Sequence, residues 1–208
     1  VILSIVFGGI LGPVLLLFGL RSARAGSVSI WLNMELVATA ILGAIFFEES
    51  SDKDEILGVV FMLASGIVIT INEGVSGLIS AFFVVLACFS WGVDNHTTGL
   101  VQNLTPHQIT FVKGLCAGSF NLLIGLVVSN PNLSIGDLFG ALIVGTFSYG
   151  LSIVFYIISA QQIGSTRAQI LFSSAPVLGV LLSFLILGEN LTVYHYIAIV
   201  CTLGGVYF

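Results

Sequence analysis

Long apolar runs, rather than short alternating ones, set the rhythm of this chain. Eight of them, at about 1–20, 28–47, 55–72, 76–96, 106–128, 137–160, 166–188 and 191–208, come close to the roughly 20 residues a helix needs to cross a bilayer core. None shows the polar alternation of a barrel strand, so the pattern predicts helices. Polar punctuation marks their starts. Thr105-Pro106-His107-Gln108 reads as a capping box with proline at the first helical position, and Ser134 with Asp137 repeats the device. The charge-rich run "EESSDKDE" (48–55) reads as a solvated hairpin, with Ser51 as N-cap of the helix that follows.

The runs also repeat. "FGGILGPVLLLFGLRSA" (7–23) lies on "VGTFSYGLSIVFYIISA" (144–160), with Gly8 on Gly145. "MELVATAILGAIFFEES" (34–50) lies on "SAPVLGVLLSFLILGEN" (174–190), with Glu49 on Glu189. Two further runs precede the second copy, which makes five helices per unit. An odd number inverts the second copy, as in many secondary transporters. The expected fold is therefore an all-α polytopic membrane bundle of two inverted five-helix repeats. Of its ten helices about eight are present: residues 1–72 as the last three of the first repeat, and 74–208 as the complete second. About 65–75 residues with two apolar segments are expected ahead of Val1, by analogy to 76–137.

Composition supports a membrane setting. The chain is 57% hydrophobic and 7% charged, with a mean hydropathy of +1.16, against about 25% charged residues in a soluble domain. The formal charge of -5 comes from scattered loop and helix-end acids, and there is no basic patch for nucleic acid. Cys88, Cys116 and Cys201 fit neither a metal spacing nor a disulfide framework and read as small core residues. The three histidines lie far apart, so neither a metal site nor a cofactor is expected.

With these motifs in view, the chain resembles the EamA-type members of the drug/metabolite transporter superfamily. The resemblance spans the whole chain and is carried by "GGILGPVLLLFGL", "LNMELVATAILGAIFFEE", "CFSWGVDN", "TPHQITFVKGLCAGSFNLLIGL" and "GTFSYGLSIVFYIISAQQIGSTRAQILFSSAPVLGVLLSFLILGENLT". It implies a ten-helix carrier of small metabolites, amino acids or toxic compounds in the cytoplasmic membrane, with the 48–55 and 161–166 loops inside. Leu36 stands where many relatives have proline, so a kink like that expected at Pro176 is not expected there.

An ionisable group inside a membrane costs about 2.5–3.5 kcal/mol on insertion scales and usually faces a cavity or a partner. Trp31, Glu35 and Thr39 share a helical stripe at four-residue spacing. The stripe either lines a substrate cavity, with Glu35 binding an amine or exchanging a proton, or holds helices together. Asp94 and Lys113 lie at comparable depths on the two arms of a hairpin and are expected to pair, as a fastener or as a gate. Asn121, Tyr149 and Tyr156 complete the substrate-binding candidates. Gly8/Gly12, Gly114/Gly118 and Gly136/Gly140 read as close-packing pairs. Arg167 reads as a cation snorkelling to the headgroups, and Glu49 and Glu189 as interface acids. Asn95 and His96 are expected near the interface.

The expected function is a membrane transporter moving small polar metabolites by alternating access, with proton coupling and oligomeric state left open. The rival is a membrane-embedded enzyme acting on a lipid or an isoprenoid, although no catalytic residues stand out. The incomplete first repeat carries its own expectation: residues 1–208 alone show no flux in proteoliposomes, whereas a ten-helix form does. Equal flux from both would refute the repeat count.

Overall fold

The computed structural model describes residues 1–49, 52–129 and 134–208. Among these, every regular element is a helix. They are α1 (Ser4–Gly19), α2 (Ala25–Phe46), α3 (Lys53–Val75), α4 (Gly77–Gly99), α5 (Pro106–Val128), α6 (Ile135–Ile163), α7 (Ser165–Leu187) and α8 (Val193–Tyr207). Helices α2 to α7 are long and apolar enough to cross a membrane, while α1 and α8 are shorter apolar helices. The protein is thus a polytopic helix bundle.

Helix starts follow local chemistry. Asp52 caps α3, accepting from the Asp54 and Glu55 N–H groups at 3.1 and 2.9 Å, while Glu55 reaches back to the Asp52 N–H. The expected cap Ser51 lies outside the described residues. Thr105 and Gln108 satisfy each other's backbone N–H at the start of α5, and Ser134 and Asp137 do so before α6. The connection from α3 to α4 is almost no loop: Gly74 alone leaves helical geometry, at φ 67° and ψ -155°.

Lipid tails are as apolar as leucine, so these helices associate through close packing and satisfied polar groups rather than by escaping water. Glycines mark the closest approaches. On α4, Gly92 fits against the Ala38–Thr39 backbone of α2, and on α3, Gly58 meets Gly205 of α8. Gly8, Gly9, Gly12 and Gly19 give α1 one smooth face, which receives Asp94, Ala117, Trp91 and Val84. Between α2, α3, α4, α7 and α8 sits the core, including Trp31, Leu36, Met62, Ile69, Val84, Cys88, Val180 and Ala198. By contrast, Gly114, Gly118 and Gly140 have open space where a side chain would stand, and Gly136 meets only Ser134. These two glycine pairs were expected to be packing faces. Among the described residues, no atom of another helix lies within 4 Å of where their side chains would stand.

Four irregularities shape the bundle. Ser4–Leu11 and Val144–Gly150 are π-helical, at corresponding places in α1 and α6. Helix α2 breaks at Leu32–Asn33 and α7 at Ser173–Ser174, where tighter i→i-3 bonds replace the α-pattern. In α7 the cause is Pro176, which lacks an N–H and crowds the carbonyl one turn earlier. In α2, where Leu36 replaces that proline and an unkinked helix was expected, the break forms all the same. There, Asn33 donates from Nδ2 to Thr202 Oγ1 of α8 at 2.9 Å and anchors the break from outside the helix.

These glycine environments separate conformation from space. Gly74→Ala meets no atom within 4 Å but needs a positive φ, so it should cost about 1–3 kcal/mol. Gly114→Ala is equally unobstructed in helical backbone and should be neutral or stabilising by up to about 1 kcal/mol. Thermal unfolding of the two variants in detergent measures the difference. A Gly74→Ala protein as stable as Gly114→Ala would refute the assignment.

Candidate functional site

The site begins where α1 and α4 touch. Asp94 is buried, and its carboxylate occupies the place a side chain on Gly8 would take. Lys113 reaches it from α5 and forms a buried ion pair with Asp94 Oδ2. Thr98 donates to the other carboxylate oxygen at 2.9 Å. The π-helical turn of α1 supplies further contacts: the Phe7, Gly8 and Gly9 carbonyls accept from Ser90 Oγ (2.8 Å), Trp91 Nε1 (3.1 Å) and Asn121 Nδ2 (2.8 Å). A π-turn loosens the regular ladder, and side chains from α4 and α5 meet the carbonyls it presents.

One helical position beyond Asp94, Asn95 is buried and bridges three helices. Its Nδ2 lies 2.9 Å from Glu35 Oε1, 3.2 Å from Thr39 Oγ1 and 3.4 Å from Gln169 Oε1. An amide has two N–H donors, so the two shorter contacts to α2 claim them and Gln169 on α7 is held most loosely. The break at Leu32–Asn33, just before Glu35, sets the direction in which that carboxylate projects.

These groups line one cavity of about 370 Å³ between α2, α4, α5, α6 and α7. Glu35, Asn95, Asp94, Lys113 and Gln169 form its charged and amide wall, and Trp91, Ser148, Tyr149, Ser152 and Tyr156 give it aromatic and hydroxyl surfaces. Ser173 and Pro176 bring the break of α7 to the same space. Among the described residues Glu35 pairs with no cation, and Lys113 pairs only with Asp94. An ammonium group has three donors, so Lys113 retains capacity toward a ligand. No three His, Cys, Asp or Glu side chains gather as they would around a metal ion among the described residues.

The model of the EamA-like transporter family matches residues 1–71 and 78–208. The chain belongs to this family. It is 28% identical over 217 residues to an uncharacterized transporter of Methanothermobacter thermautotrophicus, covering 99% of this chain and 62% of that protein. It is 24% identical over 213 residues to the uncharacterized transporter YyaM of Bacillus subtilis, covering 95% of this chain and 68% of that one. The chain thus spans about three-fifths of the length of the archaeal relative. A crystal structure of a protein 13% identical to this chain shares the fold, with a TM-score of 0.67 over 99% of this chain and 74% of the other.

Within this family fold, the predicted residues divide. Glu35, Asp94, Lys113, Tyr149, Tyr156 and Pro176 all border the cavity. Thr39 lies behind Asn95 as one of its acceptors. Trp31 departs from the expected stripe. The α2 break separates it from Glu35, and it donates instead to Thr70 Oγ1 at 2.9 Å, beside an apolar groove between α2, α3 and α4. Asn121 braces the Gly9 carbonyl and does not border the cavity. Asn95 and His96, expected near the interface, are both buried. Asn95, Gln169 and Ser173 were not picked out as cavity residues. Their one signal was a polar type inside an apolar run. Arg167 does not simply snorkel: its Nε donates to Glu55 Oε1 at 2.8 Å, and the guanidinium lies 3.8 Å from Asp52.

The ion pair can be tested as a unit. Asp94→Asn or Lys113→Met alone leaves one buried charge unanswered and should cost about 3–5 kcal/mol. The double variant should cost clearly less than the sum. Unfolding free energies in mixed micelles give the cycle, and strictly additive losses would refute the pairing.

Proposed function

We propose that the protein is a secondary carrier moving a small zwitterionic metabolite, with amino acids as the first candidates, across the cytoplasmic membrane by alternating access. One observation carries the reading: one cavity inside the bundle is lined both by an acid that pairs with no cation among the described residues and by a cation that is only partly used. Glu35 offers oxygens to a substrate ammonium, and Asn95 steadies it from behind. Lys113 keeps donors for a carboxylate while Asp94 neutralises it, so the empty cavity does not hold an unanswered cation. Tyr149, Ser152 and Tyr156 supply hydroxyls and ring faces for the rest of the solute. The volume of about 370 Å³ lies near the lower end of the ~300–1,000 Å³ typical of ligand pockets, which suits a metabolite better than a bulky drug. The family and the transporter relatives support transport over membrane-embedded catalysis.

The test uses the full-length protein in proteoliposomes, with counterflow of a radiolabelled amino-acid panel. At least one zwitterion should accumulate. Glu35→Gln removes the charge but keeps the shape, and should lower that flux roughly 10–100-fold, as for a lost charge-assisted hydrogen bond. Unchanged flux with unchanged pH dependence would remove Glu35 from the mechanism.

A further inference from the structure

Two glutamates outside the cavity tie α2 and α7 together at both ends. The helices pair antiparallel: Gly179 on the second half of α7 takes in Ser29 on the first half of α2. Glu189, just past the C-terminus of α7, accepts from the Ala25 and Gly26 N–H groups at 2.8 and 2.9 Å. These are orphan donors at the start of α2, where a carboxylate also meets the positive end of the helix dipole. Glu49, just past the C-terminus of α2, accepts from Thr166 Oγ1 at the start of α7 at 2.7 Å, and lies 3.3 Å from His96 Nδ1. The approach is built alike both times. Glu48 and Gly188 take positive φ, 53° and 66°, and the next residue donates its N–H back to Gly43 and Ser183 respectively.

We propose that Glu49 and Glu189 are the two latches of the transport cycle, one closing each end of the α2–α7 pair, and that they release in alternation. The inference rests on the carrier reading. Three observations support it. First, the latches are a full helix length apart, about 33 Å at 1.5 Å per residue, which matches the ~30 Å bilayer core. Second, the cavity lies between them, at the level of Glu35, Gln169 and Ser173. Third, the exposure of each tie decides which can open. The Asp94 and Lys113 side chains are 8% and 6% exposed, so opening that pair would leave two buried charges unanswered. The Glu49 side chain is 32% exposed, and Glu189 is likewise only partly buried. Water can replace what these two give up. The breaks at Leu32–Asn33 and Ser173–Ser174 then let one half of each helix swing while the other stays latched.

The test reads accessibility instead of flux. Ser173→Cys is placed in full-length protein with the native cysteines replaced by alanine, in vesicles of each orientation, and labelled with a membrane-impermeant maleimide. Glu49→Ala should raise the labelling rate roughly five- to tenfold from the Glu49 face only, and Glu189→Ala from the opposite face only. Thr166→Val and Glu189→Gln are milder variants, to be used if either alanine form fails to fold. Equal increases from both faces, or no change in folded variants, would overturn the proposal. Side-selective labelling without flux of any zwitterion would leave the latches standing and reject the substrate class. Zwitterion flux without side-selective labelling would do the reverse.

Discussion

A charge in hydrocarbon must be answered by the chain that carries it, and the rest of the site follows from how this protein answers Asp94. The carboxylate lies against α1 because Gly8 offers no side chain there. Lys113 is drawn in from α5, so one ion pair fixes three helices. Asn95 then faces the opposite way, toward α2 and α7, and orients Glu35. An ion pair this deeply buried contributes little net stability relative to a hydrophobic pair of the same shape. Its consequence is geometric: it sets how α4 meets α1 and α5, and thereby which side chains reach the cavity.

The π-helical turns belong to the same requirement. A regular α-helix keeps its carbonyls for itself. The π-turn of α1 presents the Phe7, Gly8 and Gly9 carbonyls to Ser90, Trp91 and Asn121. Two of these donors flank the approach to Asp94 along α4, and the third comes from the helix that carries Lys113. Polar side chains that look isolated in an apolar run are thus answered by backbone, and the backbone can answer because its own pattern is relaxed there. The corresponding turn in α6, Val144–Gly150, carries Ser148 and Tyr149 into the cavity wall. The two turns therefore serve different ends, one receiving side chains and the other displaying them.

Much of this was legible in the sequence, for physical reasons. Helices that cross hydrocarbon must be long and apolar, so their number and limits stand out. Charges are so costly there that Glu35, Asp94 and Lys113 announced themselves, and hairpin geometry sufficed to pair the last two. What stayed hidden depended on departures from regular helix. The stripe through Trp31 and Glu35 assumed an unbroken α2, but a break held by Asn33 and Thr202 turns Trp31 toward Thr70. Nothing local in "WLNMEL" encodes a bond to a residue 169 positions away. Asn95 and His96 were read only by depth, because an apolar run was ending; their burial against neighbouring helices, Asn95 in the cavity wall and His96 beside Glu49, was not legible. Glycine pairs proved ambiguous for a similar reason. The spacing is the same in α1 and α5, but only α1 has neighbours that use it.

Rigidity and freedom are distributed by depth. The Asp94–Lys113 pair and the Asn95 network lie in the dry part of the bundle, where losing a partner is most expensive. The ties of Glu49, Glu189 and Arg167 lie at helix ends, where water competes for the same groups and exposed pairs are worth about 0–1 kcal/mol. Helices α2 and α7 connect the two zones, and each is interrupted at mid-length beside the cavity. An unbroken helix would transmit any movement at one end to the other as a rigid rod. A helix broken at the binding level uncouples its halves while both keep their internal hydrogen bonds. The proposed carrier cycle would need this combination: a site that keeps its geometry, with walls above and below it that move independently. One proline, one anchored asparagine and the cost of unpaired charge in lipid would supply it.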